Sequence, residues 1–191
     1  FAMGSGPMRA ARGREPLFAK IGYAEQPSRV VGVLETAKLP TDEICRDMAQ
    51  QCSVEPQHMT LLLARTASLA GTIQIVARAL ETCLHKLLEL DFDLSRVVAG
   101  MGTAPLPPVA GDDLTGIGRT NDAVLYGGRV TVWVRGDDQS LAAIGPRIPS
   151  AASSDSGRPF AEGCEHYDRA FYRIDPLWFS PCEVLCVYMD T

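Results

Sequence analysis

Short apolar runs alternate with segments of helical periodicity through the first hundred residues, and that alternation constrains the fold most. Arg29-Val30-Val31-Gly32-Val33-Leu34 reads as a buried strand. Thr41 then offers an N-cap, and Asp42 and Glu43 suit the positive end of a helix. Ile44, Cys45, Met48, Ala49 and Cys52 follow at helical spacing until Pro56 breaks the pattern. Met59 to Ala64 reads as a second strand, Ser68 to Leu90 as one long helix, and Val97-Val98-Ala99 as a third strand. Strand, helix, strand, helix, strand predicts an α/β layer, because parallel strands need crossover connections.

The second half reads differently. Gly100 to Gly118 is rich in Gly and Pro and reads as a long connection. Asp122 to Tyr126 and Arg129 to Val134 flank Gly127-Gly128, a pattern that predicts a hairpin. Ile148 to Pro159 reads as loop, Phe160 to Arg169 as a short helix and Val184 to Tyr188 as a last strand. The expected fold class is therefore α/β, with α+β elements, in two parts, 1–100 and 101–191. The opening segment, Phe1-Ala2-Met3-Gly4-Ser5-Gly6-Pro7, is apolar and turn-forming and reads like the interior of a longer protein.

Composition removes several function classes. With 18 basic and 23 acidic residues the net charge is −5, which argues against nucleic-acid binding, since that needs clustered Lys and Arg. No apolar run approaches the roughly 20 residues of a membrane span, and no secretory leader is visible. The even count of six cysteines permits disulfides, but none forms a C-x-x-C pair and several sit in apolar or helical surroundings, so buried free thiols are the expectation. The three histidines, His58, His85 and His166, have no ligand spacing with the cysteines, and no metal site is expected. His166 and Asp168 invite a catalytic reading, but no nucleophile motif accompanies them, and His85 and His166 are read as structural.

On an uninterrupted helix, Ile73, Val76, Leu80, Leu84 and Leu87 form an apolar stripe, and Gln74, Arg78, Glu81, His85 and Glu89 a polar one. Arg78 and Glu81 are three apart, so their side chains can meet. The plain reading is a solvated face with a surface ion pair, worth about 0–1 kcal/mol. The functional reading is a general base, with the Arg holding the carboxylate ionised and oriented. Just before it, Arg65 to Gly71 joins strand to helix, where open α/β sheets bind ligands, and its small side chains leave room for one. Gly4 to Pro7 could bring backbone N–H groups to a ligand. Ile117 to Asp122 reads either as a polar turn or as a ligand contact.

Taken in order, these motifs resemble the methenyltetrahydromethanopterin cyclohydrolase family. The matching stretches are Phe1 to Pro7, Thr66-Ala67-Ser68 through Gln74-Ile75 to Arg78 and Glu81, Gly118 to Asp122 and Tyr126-Gly127-Gly128. Gly157-Arg158-Pro159-Phe160 and Phe171-Tyr172-Arg173-Ile174-Asp175-Pro176 fit as well. The resemblance implies a cytoplasmic enzyme of one-carbon metabolism that interconverts methenyl and formyl forms of tetrahydromethanopterin, in methanogenic archaea and in formaldehyde-oxidising methylotrophs. It implies two α/β parts with the pterin in a cleft between them, a homotrimer, and no metal or redox cofactor. The family's catalytic Arg and Glu fall on Arg78 and Glu81, and Ser5, Ser68, Gln74 and Asn121 are the candidate pterin contacts. Family members are longer, so the chain reads as a fragment lacking an N-terminal part and the extreme C-terminus, with the fold incomplete. Two other readings stand beside this one. The chain could be a non-catalytic pterin-binding or assembly fragment, or an α/β module binding a small anion at Thr66 to Gly71.

Overall fold

Met3–Ser5 forms the first strand, β1, and lies antiparallel to β2 (Val30–Glu35), which runs parallel to β3 (Met59–Ala64). Between β1 and β2 come two short helices, α1 (Met8–Arg12) and α2 (Pro16–Lys20). The crossover from β2 to β3 is α3 (Asp42–Gln51), whose N-cap is Thr41. The computed structural model describes residues 2–167 and 173–189 and falls into two units, Phe1–Thr66 and Ala67–Thr191. Asp168, Arg169, Phe171 and Tyr172 lie outside the described residues. Strands β2 and β3 and the α3 crossover of the first unit follow the sequence reading. The apolar start of the chain is strand β1 and its turn, with Gly6 at φ 83°.

In the second unit, β4 (Val97–Thr103) lies antiparallel to β5 (Arg129–Val134), and β5 runs parallel to β6 (Glu183–Tyr188). Its described helices are α4 (Leu69–Val76), α5 (Ala79–Glu89), α6 (Asp113–Gly127), α7 (Asp138–Ile144) and α8 (Phe160–His166). Ala79, Cys83 and Leu87 repeat every four residues along α5 and pack into one buried cluster with Val130, Val132 and Val134 of β5. A second cluster gathers Leu125, Phe160, Cys164, Ile174 and Trp178, with the Phe160 and Trp178 rings 5.3 Å apart. Among the described residues no helix is long and apolar enough to cross a membrane.

The structure departs from the sequence reading at several places. The hairpin around Gly127-Gly128 is instead the end of helix α6, and Ile117 to Asp122 is not a turn but the middle of that helix. Asp112 caps α6, accepting from the Thr115 N–H at 2.9 Å. Small residues let α6 pack closely: a Cβ on Gly118 would lie 3.2 Å from that of Ala161 in α8. Gly128 is the C-cap of α6, where a Cβ would meet the Val124 carbonyl oxygen at 2.5 Å, so glycine is required. Gly100 to Gly118 is likewise not one long connection, because β4 runs to Thr103 and α6 begins at Asp113. The third strand, which the sequence reading places in the 1–100 part, pairs with β5 and so belongs to the sheet of the second unit. The long helix departs from the sequence reading as well, at the candidate site.

Candidate active site around Arg78 and Glu81

The segment from Ser68 to Leu90 is two helices, not one. α4 ends at Val76, α5 begins at Ala79, and Arg78 stands between them as the N-cap residue of α5 at φ −93°, ψ 20°. At the break the Arg78 N–H bonds to the Ile75 carbonyl at 3.1 Å, a tighter turn than the α-helical bond to Gln74. The Gln74 carbonyl is met by the Arg78 side chain, whose Nε donates to it at 3.2 Å. The Arg78 backbone carbonyl in turn accepts from the Thr82 hydroxyl at 3.1 Å. The break therefore fixes Arg78 by its own helix geometry.

Glu81 sits in the first turn of α5, where the helix dipole favours an acid. Its carboxylate lies 4.0 Å from the Arg78 guanidinium, and its side chain is 63% exposed. His85 and Glu89 make a similar exposed pair one turn on, at 3.7 Å. The polar stripe is thus present, but the apolar one is interrupted: Val76 and Leu87 are buried, whereas Ile73 is exposed.

The other predicted residues divide. Ser68 caps α4 and accepts from the Gly71 N–H at 3.0 Å. Gln74 is half-buried on α4 and tied to Arg78 through its backbone. Asn121 lies on α6, which packs against α4, and its amide donates to the Ile117 carbonyl at 2.9 Å within its own helix. Ser68, Gln74, Arg78 and Glu81 thus follow one another along α4 and α5. Ser5 is the last residue of β1, opposite Val33, and belongs to the first unit.

In the strand-to-helix segment, Thr66 to Gly71, several donors already have partners. The buried Thr66 hydroxyl donates to the Glu35 carboxylate in the first unit. In the second unit the Ala67 N–H donates to Asp113 at 2.9 Å. Three donors of the segment, the Thr66 hydroxyl and the Ala67 and Gly71 N–H groups, are thus engaged by carboxylates and the Ser68 cap.

Sequence reasoning missed several polar residues that set this framework. Asp122 accepts the Phe160 N–H at 2.8 Å, tying α6 to the start of α8, and burial raises its pKa. Lys86 is buried on α5 and donates its Nζ to the Leu177 carbonyl, and burial lowers its pKa against the opposing pull of Asp175. A Lys on a helix otherwise read as amphipathic carried no signal for this. A cavity of about 580 Å³ opens in the first unit near the starts of β2 and β3, lined by Arg46, Gln50, Ser53 and His58 among others. None of the predicted site residues lines it. Among the described residues no group of three or more His, Cys, Asp or Glu side chains is placed to hold a metal ion.

Along residues 1–191 the chain matches the family described as Cyclohydrolase (MCH). The chain belongs to that family. It is 47% identical over 189 residues to the methenyltetrahydromethanopterin cyclohydrolase of Rhodopirellula baltica, a match covering 96% of this chain and 57% of that protein. Its identity to the enzyme of that name from Methylobacillus flagellatus is 48%, over all of this chain and 58% of the relative. The Xanthobacter autotrophicus protein of the same name is also 48% identical, over all of this chain and 56% of its own length. The chain thus spans somewhat more than half the length of these cyclohydrolase relatives.

Proposed function

We propose that the protein hydrolyses 5,10-methenyltetrahydromethanopterin to the 5-formyl form, with Glu81 as general base and Arg78 as its positioning partner. The family match along the chain and the names of its relatives support the reaction. The observation that carries the residue assignment is the Arg78 side chain, anchored to the Gln74 carbonyl and facing an exposed carboxylate at 4.0 Å.

The methenyl carbon lies in a cationic amidine-like bridge and is electrophilic without further activation. Water attacks it and passes one proton to Glu81, giving a neutral tetrahedral adduct. The bond from carbon to the departing nitrogen then breaks as Glu81 returns that proton to the nitrogen. The adduct hydroxyl releases its own proton to become the formyl carbonyl, so one proton leaves per turnover. Arg78, held by the Gln74 carbonyl, orients Glu81 across their 4.0 Å separation. Gln74, Ser68 and Asn121 are the neighbouring polar side chains assigned to the pterin. The same reading gives a cytoplasmic homotrimer of one-carbon metabolism that uses no metal or redox cofactor.

The test mixes the chain with methenyltetrahydromethanopterin and follows the loss of methenyl absorbance. Glu81→Gln should lower turnover by roughly 10²–10⁴-fold. Hydrolysis by Glu81→Gln at the wild-type rate would remove Glu81 from the mechanism.

A further inference from the structure

We propose that Gly102 is a positioning residue for this reaction, setting where the first turn of α5 stands over the sheet; this rests on the reading of Arg78 and Glu81 given above. Gly100 and Gly102 are two apart on β4, so they point to the same face. They pair with Val132 and Val130, the buried residues of β5 that pack with Ala79 and Cys83 of α5. Both glycines therefore lie under α5, but they meet different parts of it. A Cβ on Gly100 would strike the Leu80 side chain, with Cδ1 at 2.6 Å. A Cβ on Gly102 would stand 3.0 Å from the Leu80 backbone nitrogen, 3.2 Å from Val130 Cγ2 and 3.5 Å from Ala79 Cβ.

That contrast decides the role. A leucine side chain can change rotamer and give way. The backbone nitrogen of Leu80 can move only if the start of α5 moves with it. Leu80 lies between Arg78 and Glu81, and the Thr82 hydroxyl ties the same turn to the Arg78 carbonyl. A methyl group at position 102 would thus shift the pair as a unit relative to Gln74, which anchors Arg78 from α4. Such a displacement leaves the Arg78–Glu81 separation of 4.0 Å unchanged but alters the 3.2 Å contact between Arg78 Nε and the Gln74 carbonyl, and so moves both groups relative to α4. Misplacing catalytic groups by about 1 Å can cost on the order of 10²-fold in rate.

Gly102→Ala and Gly100→Ala are made in the full chain and compared with wild type by three measurements. These are thermal unfolding, the Nε–Hε NMR resonance of Arg78, and kcat and KM. Gly102→Ala should shift the Arg78 resonance and lower kcat roughly 10-fold, with KM within about 3-fold. Gly100→Ala should lower the unfolding temperature but leave the resonance in place and kcat within about 3-fold, because Leu80 repacks. An unshifted Arg78 resonance in Gly102→Ala, or an equal shift in Gly100→Ala, overturns the proposal. Should Glu81→Gln keep full activity, the functional reading fails by itself, and the Arg78 resonance still decides the positioning role. If Gly102→Ala does not fold, adding Val130→Ala removes the 3.2 Å contact and leaves the backbone contact to be read in the same way.

Discussion

The sheets β1–β2–β3 and β4–β5–β6 share strand order and pairing, antiparallel first and parallel second, yet they are packed very differently. In the first, Val30 and Leu34 of β2 are buried, with Ala49 and Cys52 at the end of the α3 segment. Gly32 stands between those two β2 residues, and Met8 of α1 lies against it. In the second, Val130, Val132 and Val134 are all buried under α5 and joined by Phe92, Leu141, Ile144 and Ile148. The physical difference is the covering helix. α1 has five residues and buries none, whereas α5 has eleven and places Ala79, Cys83 and Leu87 on one buried face. Connection rules produce the same topology twice, but the apolar area on the covering helix sets how firmly each sheet is held.

Truncation of the two cores should show the largest effect. Leu87→Ala should cost about 3–5 kcal/mol, at the upper end for a fully enclosed leucine, and Leu34→Ala about 2–3 kcal/mol, because its surroundings can collapse. Urea unfolding measures both, and equal losses would break the comparison. Thiol labelling sharpens it further. Burial pushes the Cys83 thiol up to about 12 and also raises Cys52, while Cys182 is exposed. Among these three at pH 8, Cys182 should react first, then Cys52 as the thinly packed unit opens, with Cys83 slower than Cys52 by roughly 10-fold or more. Cys83 reacting before Cys52 would reverse the assignment of the weaker unit.

The smallest effect concerns buried charge. In the first unit the hydrogen bond from Arg9 holds Glu15 below its usual range. In the second, burial raises Asp122 above its usual 3.8, although Phe160 donates to it. A raised carboxyl stabilises the native state fully below its unfolded value, and that contribution is lost as pH rises through the folded value. At pH 7 the buried charge is therefore a cost. Asp122→Asn keeps an oxygen for the Phe160 N–H and removes that charge. The variant should match or exceed wild type at pH 7 by up to about 1 kcal/mol, with the gap closing near pH 4. Thermal unfolding at the two pH values checks this, and a clearly less stable Asn variant at pH 7 would show that the charge itself is needed.

The first unit was largely legible because its signals are local. Thr41 caps α3, Pro56 ends the helical pattern, and β2 and β3 are short apolar runs. In the second unit Gly127-Gly128 carries the signature of a hairpin, yet Asp112, the small residues of α6 and its contact with α8 make that segment a helix. The motif resemblance also pointed to the family that the whole-chain match establishes.

By itself, the sequence determined the α/β class, strands β2 and β3 of the first unit and the family, since these rest on periodicity, caps and motif order within short stretches. Spacing also brought Arg78 and Glu81 within reach of each other, a nearness that i and i+3 retain when the helix breaks at Arg78. Only the tertiary structure decided that break, the anchoring of Arg78 on Gln74, and the strand on which α5 rests. The last of these depends on close approach between segments some twenty residues apart, where a Cβ on Gly102 would stand 3.0 Å from the Leu80 backbone nitrogen and no local pattern records it.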